Sequence, residues 1–215
     1  MISPYGLKFI GIGLVLTAIL VLWSASRDSL TLLVISIIVC ILTLFLIYFY
    51  RNPIRNIPTD EDLILSVADG RVLSVVDIES DYIGGRGKKV SIFLSILDPH
   101  MNRIPTSGRL EYVKYVPGKF FKAFQDKASE ENEHTEIGLA FGTSRIILKQ
   151  IAGILARRIV CNLKPQQHVK AGEIFGLIHF GSRAELFLPE NIEVLVKRGD
   201  RVKAGESLIG RIIRK

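Results

Sequence analysis

Cysteine is nearly absent. The 215-residue chain has two, and Cys40, inside an uncharged apolar run, and Cys161, far downstream, make no disulfide framework. Histidine is almost as sparse at four residues, and no His-x-x-x-His pair or cysteine cluster has metal-ligand spacing. Tryptophan occurs once, and no recognition motif interleaves aromatics with basic residues, which argues against nucleic acid as a partner. A nucleotide-binding loop is missing too. Gly84–Gly–Arg–Gly87 is glycine-rich but lacks the lysine–serine ending and the following helix, so a dehydrogenase or nucleotide hydrolase is disfavoured.

What the chain does have is apolar residues, concentrated at one end. Mean hydropathy is +0.33, and Leu30 to Tyr50 runs for 21 residues without a charge, enough to cross a hydrocarbon core of about 30 Å as a helix. Phe9 to Trp23 is shorter and reaches spanning length through Ser24 and Ala25. With only Ser26 to Ser29 between them, the two runs predict a transmembrane helical hairpin over residues 1–52. A cleaved signal peptide is the alternative for the first span.

Lys8 precedes the first span and Arg51 and Arg55 follow the second, whereas the linker offers Arg27 beside Asp28. The positive-inside rule then puts both ends on the cytoplasmic side of the cell (inner) membrane. Beyond position 50 there are 26 basic and 20 acidic residues, a net of +6. A basic domain tethered in this way is attracted to an anionic membrane surface.

Residues 53–215 read as a second domain of short strands. Leu63–Val67, Val72–Ile78, Lys89–Ile96, Leu110–Val116, Ile137–Phe141, Arg145–Ile151 and Ala156–Cys161 are rich in Val, Ile and Leu and separated by turn pairs such as Asp69–Gly70 and Gly142–Thr143. Only Lys119 to Ser129 carries a helical period. Val169–Lys–Ala–Gly–Glu173 recurs as Val202–Lys–Ala–Gly–Glu206, each copy followed by an apolar strand. The fold class expected is therefore mostly β, a barrel-sandwich-like cytosolic domain with limited helix. Neither Lys170 nor Lys203 has the context of a modified carrier lysine.

Between the two copies lies Phe180–Gly–Ser–Arg183, in front of a segment to Pro189 that alternates like a half-buried strand. Gly–Ser is a common turn, and on local grounds a turn is all it need be. It could also be a bond that the chain cuts in itself. The Ser182 hydroxyl would attack the Gly181 carbonyl, β-elimination would release Gly181 as a carboxylate, and residue 182 would become a pyruvoyl group, an electron sink of the kind that PLP supplies elsewhere. Glycine before the bond lets the backbone bend.

The chain resembles the phosphatidylserine decarboxylase proenzymes of the short bacterial and archaeal form. The residues carrying the likeness are Val67–Ala–Asp–Gly–Arg–Val72, Asp98–Pro–His–Met–Asn–Arg–Ile–Pro105, Tyr115–Val–Pro–Gly118, Glu131–Asn–Glu133 and Phe180–Gly–Ser–Arg183, in family order. The resemblance implies self-cleavage into 1–181 (β chain) and 182–215 (α chain), which remain partners. It implies a pyruvoyl cofactor made from Ser182, no metal or PLP, and conversion of phosphatidylserine in the bilayer to phosphatidylethanolamine and CO2. A homodimer is compatible with it.

By the same resemblance Gly181 and Ser182 form the cleavage site, Asp69 orients or charges a base, and His100 assists decarboxylation or proton return. Arg103 stands where longer relatives have a second histidine. Arginine stays protonated and cannot act as an ordinary base, but its planar fork suits the substrate's phosphate or carboxylate. His179 and His134 are the other candidate bases, with His168 the weakest. Two rival functions remain: a pyruvoyl decarboxylase of another amine, and a membrane-anchored scaffold without enzymatic activity.

Overall fold

The computed structural model describes residues 1–125, 128–154, 158–179 and 181–213. The chain forms two compact units, Met1–Ile54 and Arg55–Lys215.

The first unit is a pair of helices, α1 (Pro4–Arg27) and α2 (Leu30–Phe49), each long and apolar enough to cross a membrane. At 1.5 Å per residue, α2 spans about 30 Å. Ser3 caps α1 by accepting from the Tyr5 N–H, and Ser29 caps α2 by accepting from the Leu32 N–H. Between the helices the linker is tighter than the sequence suggests, just Asp28 and Ser29, with Asp28 in the left-handed region at φ 45°. Gly13 lets the helices approach: a Cβ there would strike the Thr43 side chain. Most of the large side chains on both helices point outward.

Among the described residues of the second unit fourteen strands form, in chain order β1 (Leu63–Leu65), β2 (Gly70–Ser80), β3 (Gly85–Leu94), β4 (Met101–Arg103), β5 (Gly108–Val116), β6 (His134–Phe141) and β7 (Ser144–Ile151). They continue with β8 (Ile159–Cys161), β9 (His168–Val169), β10 (Ile174–Ile178), β11 (Ser182–Pro189), β12 (Ile192–Val194), β13 (Arg201–Val202) and β14 (Leu208–Ile212). Eight of them make one antiparallel sheet in the order β13-β2-β3-β11-β7-β6-β5-β9, and two three-stranded sheets, β1-β14-β12 and β4-β10-β8, accompany it.

The internal repeat explains the shape of the large sheet. Its two copies place β9 and β13 at opposite edges, and both are followed by turns with a left-handed glycine, Gly172 at φ 79° and Gly205 at φ 74°. A Cβ on Gly205 would come within 3.7 Å of the Gly172 Cα, and both turns rest on Ile57. The edges have therefore curled toward each other. The inner face carries Val90, Ile92, Leu94, Ile137, Leu139, Ile146, Leu148, Ala184, Leu186 and Leu188. Ile64, Phe175, Ile178, Ile192 and Ile209 from the smaller sheets join the same core, as the expected mostly-β, barrel-sandwich-like class requires.

Three local expectations need correction. Lys119 to Ser129 is not helical from Lys119 to Gln125: Lys119 bridges to Asn132, a turn covers Ala123–Gln125, and only Ala128 and Ser129 join a helix, the short α3 of Ala128–Glu131. Residues 126 and 127 lie outside the description. The helical period is overridden by Asn132, whose side chain binds both the N–H and the carbonyl of Phe121 and ties the segment to Ala152. Strand β11 is not half-buried either. Arg183 and Glu185, on its polar face, are 2% and 0% exposed, because β11 is a central strand and the segment ending in α3 covers its outer face. The expected strand from Ala156 begins at Ile159, with 155–157 outside the described residues.

Candidate active site

Ser182 opens β11, paired with Leu94 of β3, and its side chain shares the inward parity of Ala184 and Leu186. It is fully buried, and its Oγ has no hydrogen-bond partner among the described residues. Such a hydroxyl costs about 1–3 kcal/mol relative to a satisfied one. Gly181 before it lies at φ 63°. A Cβ there would meet only Ile96, at 3.9 Å, so glycine is required by backbone conformation and not by space. Phe180 lies outside the described residues.

Asp69 sits on the other side of β3. Register places Arg71 opposite Phe93, which in turn faces Arg183. The starts of β2 and β11 are thus two strand spacings apart, about 10 Å, and Asp69 and Ser182 occupy the same end of the sheet. Gly70 permits the approach, since a side chain at 70 would collide with the Phe93 carbonyl.

The Asp69 carboxylate is bound by Arg55 Nη2 at 2.5 Å, and Arg55 also reaches Glu206 at 3.2 Å. Burial nevertheless pushes the Asp69 pKa up to about 6, with Arg55 and the Ala204 N–H opposing that rise and Asp98 adding to it. A step that needs the Asp69 carboxylate should therefore slow tenfold per pH unit below about 6. Replacing Arg55 by methionine removes the opposing charge and should move that acid limb up by about 1–3 pH units, with Arg55→Lys in between. Quenched-flow or gel time courses of precursor cleavage between pH 5 and 9 read this directly. An unmoved limb would rule out Asp69 as the titrating group.

His100 is fully buried after the β3–β4 loop. Its Nδ1 lies 2.7 Å from the Asp98 carbonyl. A carbonyl can only accept, so Nδ1 carries the proton and Nε2 is the basic nitrogen. The His100 carbonyl accepts from Ile178 N–H at 3.4 Å, just upstream of Ser182. His134 shows the same pattern, with Nδ1 donating to the Asn132 carbonyl at 2.7 Å. It starts β6 opposite Ile151, which faces Arg183, and so lies at the same end of the sheet as Ser182. His179 is buried beside Arg158, and burial first, then that positive charge, holds its pKa below the ordinary imidazole value. His168 is exposed on the edge strand β9.

Arg103 donates to the Gly172 carbonyl at 2.9 Å. Burial, then the neighbouring Arg55, lowers its pKa, while Asp69 and Glu206 oppose the change. Arg103 thus joins a charge cluster around Asp69. A cavity of about 440 Å³ opens beside it, lined by Asp69, Gly70, Asp98, Arg201, Lys203 and Glu206 among others.

Several contributors escaped the sequence reading. Arg55 entered it only as a topology marker. Gln150 donates to the buried Asn102 at 2.8 Å, and Asn102 in turn donates to the Val67 carbonyl at 3.3 Å, fixing the strand after His100. On the outer face of β11, Arg183 pairs with Glu185 at 2.7 Å and donates to Ser91 at 2.8 Å, while Ser129 donates to Glu185 at 2.9 Å. The signal available was the pairing of opposite charges two residues apart in an otherwise apolar strand.

Fold and site together define a curled-sheet β domain, preceded by two apolar helices, with a glycine–serine peptide held at the buried end of its central strand. The family model for phosphatidylserine decarboxylase matches residues 42–210. A phosphatidylserine decarboxylase proenzyme of Carboxydothermus hydrogenoformans is 48% identical over 180 residues, 83% of this chain and 84% of the relative. One from Symbiobacterium thermophilum is 47% identical over 173 residues, 80% of each chain. One from Chlorobium phaeobacteroides strain BS1 is 39% identical over 212 residues, 99% of this chain and all of the relative. The chain belongs to the phosphatidylserine decarboxylase family.

Proposed function

We propose that the chain is a membrane-held phosphatidylserine decarboxylase that activates itself by cutting Gly181–Ser182, with 1–181 and 182–215 staying together as one enzyme. The observation that carries this reading is the buried Ser182 hydroxyl, unpartnered among the described residues and directly behind a left-handed glycine. The curated relatives of the same family are named proenzymes of that activity.

In the cleavage, Ser182 Oγ gives up its proton and attacks the Gly181 carbonyl carbon. The peptide C–N bond breaks, leaving Gly181 esterified to Oγ and residue 182 with a free amine. Loss of the Cα proton breaks the Cβ–Oγ bond, so Gly181 departs as a carboxylate and residue 182 becomes dehydroalanine. Its imine tautomer takes up water and loses ammonia, giving the pyruvoyl group. That group is no larger than the serine it replaces and fits the same buried, uncharged position. It supplies an electrophilic carbonyl that accepts the amine of phosphatidylserine and the electrons freed with CO2.

The chain's own residues do the rest. His100 Nε2 is suited to take and return a proton, being the basic nitrogen of a ring fixed by the Asp98 carbonyl. Asp69, held by Arg55, places a negative charge at the same end of the sheet. Arg103, with Arg201 and Lys203 along the adjoining cavity, offers cations for the headgroup phosphate and carboxylate. The apolar helices keep the domain where substrate and product reside, and the distribution of Lys8, Arg51 and Arg55 favours the cytoplasmic face of the inner membrane.

Intact mass of the purified protein, before and after a carbonyl-reactive amine, tests the scheme together with CO2 release from phosphatidylserine vesicles. Two pieces are expected, the smaller covering 182–215 with a blocked, amine-reactive first residue. An uncut, unreactive chain would sink the reading and favour a scaffold. CO2 released from soluble amino acids but not from the lipid would assign a sister activity.

A further inference from the structure

The end of the large sheet that holds Gly181–Ser182 also carries an apolar rim that the fold leaves uncovered. Leu97, Tyr115, Phe124 and Ile154 are each between 51% and 58% exposed, and Ile96 is 38% exposed. They come from different loops that pairing brings to one end. Ile96 and Leu97 follow Leu94, the partner of Ser182. Ile154 follows Ile151, the partner of Arg183. Tyr115 lies at the end of β5, beside the β6 start that faces Ile151. Phe124 packs edge-on against Phe93, ring centres 6.2 Å apart, and Phe93 faces Arg183.

Side chains scattered singly on a surface need no explanation, but five gathered at the same end of one sheet as a buried candidate site do. The occupant is indicated by its chemistry. The residues are aliphatic and aromatic, the pattern that seats in the headgroup and acyl boundary. The exposed Lys122 ammonium lies 6.0 Å from the Phe124 ring centre, so a cation accompanies the apolar tip, and residues 55–215 carry 25 basic and 20 acidic side chains, a net charge of +5. A protein surface with this combination is complementary to anionic lipid.

We propose that Ile96–Leu97, Tyr115, Phe124 and Ile154 form a docking rim that inserts into the interface of an anionic bilayer and seats the Gly181–Ser182 end of the sheet on the lipid headgroups. The rim rests on the decarboxylase reading for its purpose, delivery of a lipid substrate without its leaving the membrane, but insertion is observable without turnover.

The native Trp23 is changed to Phe, and single tryptophans are introduced as Leu97→Trp, Phe124→Trp or Ile154→Trp in the full chain. Each protein is placed in nanodiscs of anionic lipid whose acyl chains are brominated near the headgroup. Leu195→Trp, at a residue 45% exposed after β12, is the control. Insertion by about 5–10 Å places the rim tryptophans at the bromines. Their emission should fall to about half or less while the control is unchanged. Three independent positions guard against one misfolded variant. Rim tryptophans quenched no more than the control would overturn the proposal. So would rim tryptophans shielded from both bromine and aqueous iodide, the mark of a protein partner such as a second copy of the chain. Turnover of water-soluble short-chain phosphatidylserine, measured on the same samples, reports the decarboxylase reading separately. Quenching without such turnover would leave the rim standing and remove the enzyme.

Discussion

Ser182→Ala should yield a single uncut chain and no decarboxylation. The side chain is completely buried in an inward-facing position, so losing one oxygen leaves the packing of β11 almost unchanged. It also removes a hydroxyl that has no hydrogen-bond partner among the described residues, so the variant should be as stable as the parent or slightly more so. Activity should behave oppositely, because in the proposed scheme the nucleophile for the cut and the precursor of the carbonyl are the same atom group. Removing a nucleophile typically costs at least about 10⁴-fold. Here cleavage and decarboxylation should vanish together. Ser182→Cys restores a nucleophile of similar size and should cleave slowly. Denaturing gels, intact mass and CO2 release check all three. Cleavage at 181/182 in Ser182→Ala would show that the serine is not the nucleophile.

Glu185→Ala should lower stability by about 3–5 kcal/mol, the usual result of stripping one partner from a buried ion pair. Arg183 would remain with 2% of its surface exposed and lose its 2.7 Å partner. Ser91 at 2.8 Å and the Gln125 carbonyl at 3.4 Å cannot neutralise it. Ser129 would lose its acceptor as well. Glu185→Gln keeps acceptors without the charge and should fall between. The double change Arg183→Met with Glu185→Leu, which removes both charges and fills the space, should recover most of the loss. Pulse proteolysis of the full chain in detergent, across a urea series, measures the differences. A double variant no better than Glu185→Ala would mean that the face needs its polarity for more than charge balance.

The sequence made some parts of this molecule easy to read. The apolar helices were legible because a spanning segment needs composition and little else, and the strands because Val, Ile and Leu clusters were separated by glycine turns. The repeat announced the two edge turns before any pairing was known. Burial of Arg183 and Glu185 was hidden, because alternation tells which residues share a face and not whether something covers that face. Lys119–Ser129 misled for a related reason: its local period was helical, but Asn132, a few residues away, claims the Phe121 backbone. Among the candidate site residues, Gly181, Ser182, Asp69 and His100 could be nominated from motifs. The pairing of Asp69 with Arg55 could not, since the partners come together only when the strap before β1 folds back on the β1–β2 turn.

Strand β11 has a partner on each side over most of its length, β3 from Gly87 to Leu94 and β7 from Ile147 to Ile151. Any cut after Gly181 falls at its first residue. The C-terminal piece would then own the middle plank of the sheet, and β13 and β14 would fasten it to β2 and β1 as well. Releasing it means unzipping the large sheet from its middle, so the two polypeptides should co-purify through any non-denaturing step. An uncut precursor would thus be the assembly template: threading a separate strand between two already paired neighbours is far slower than folding it in place. Gene halves expressed apart would be expected to give insoluble pieces, whereas in the proposed scheme the continuous chain builds the sheet first and breaks the link afterwards.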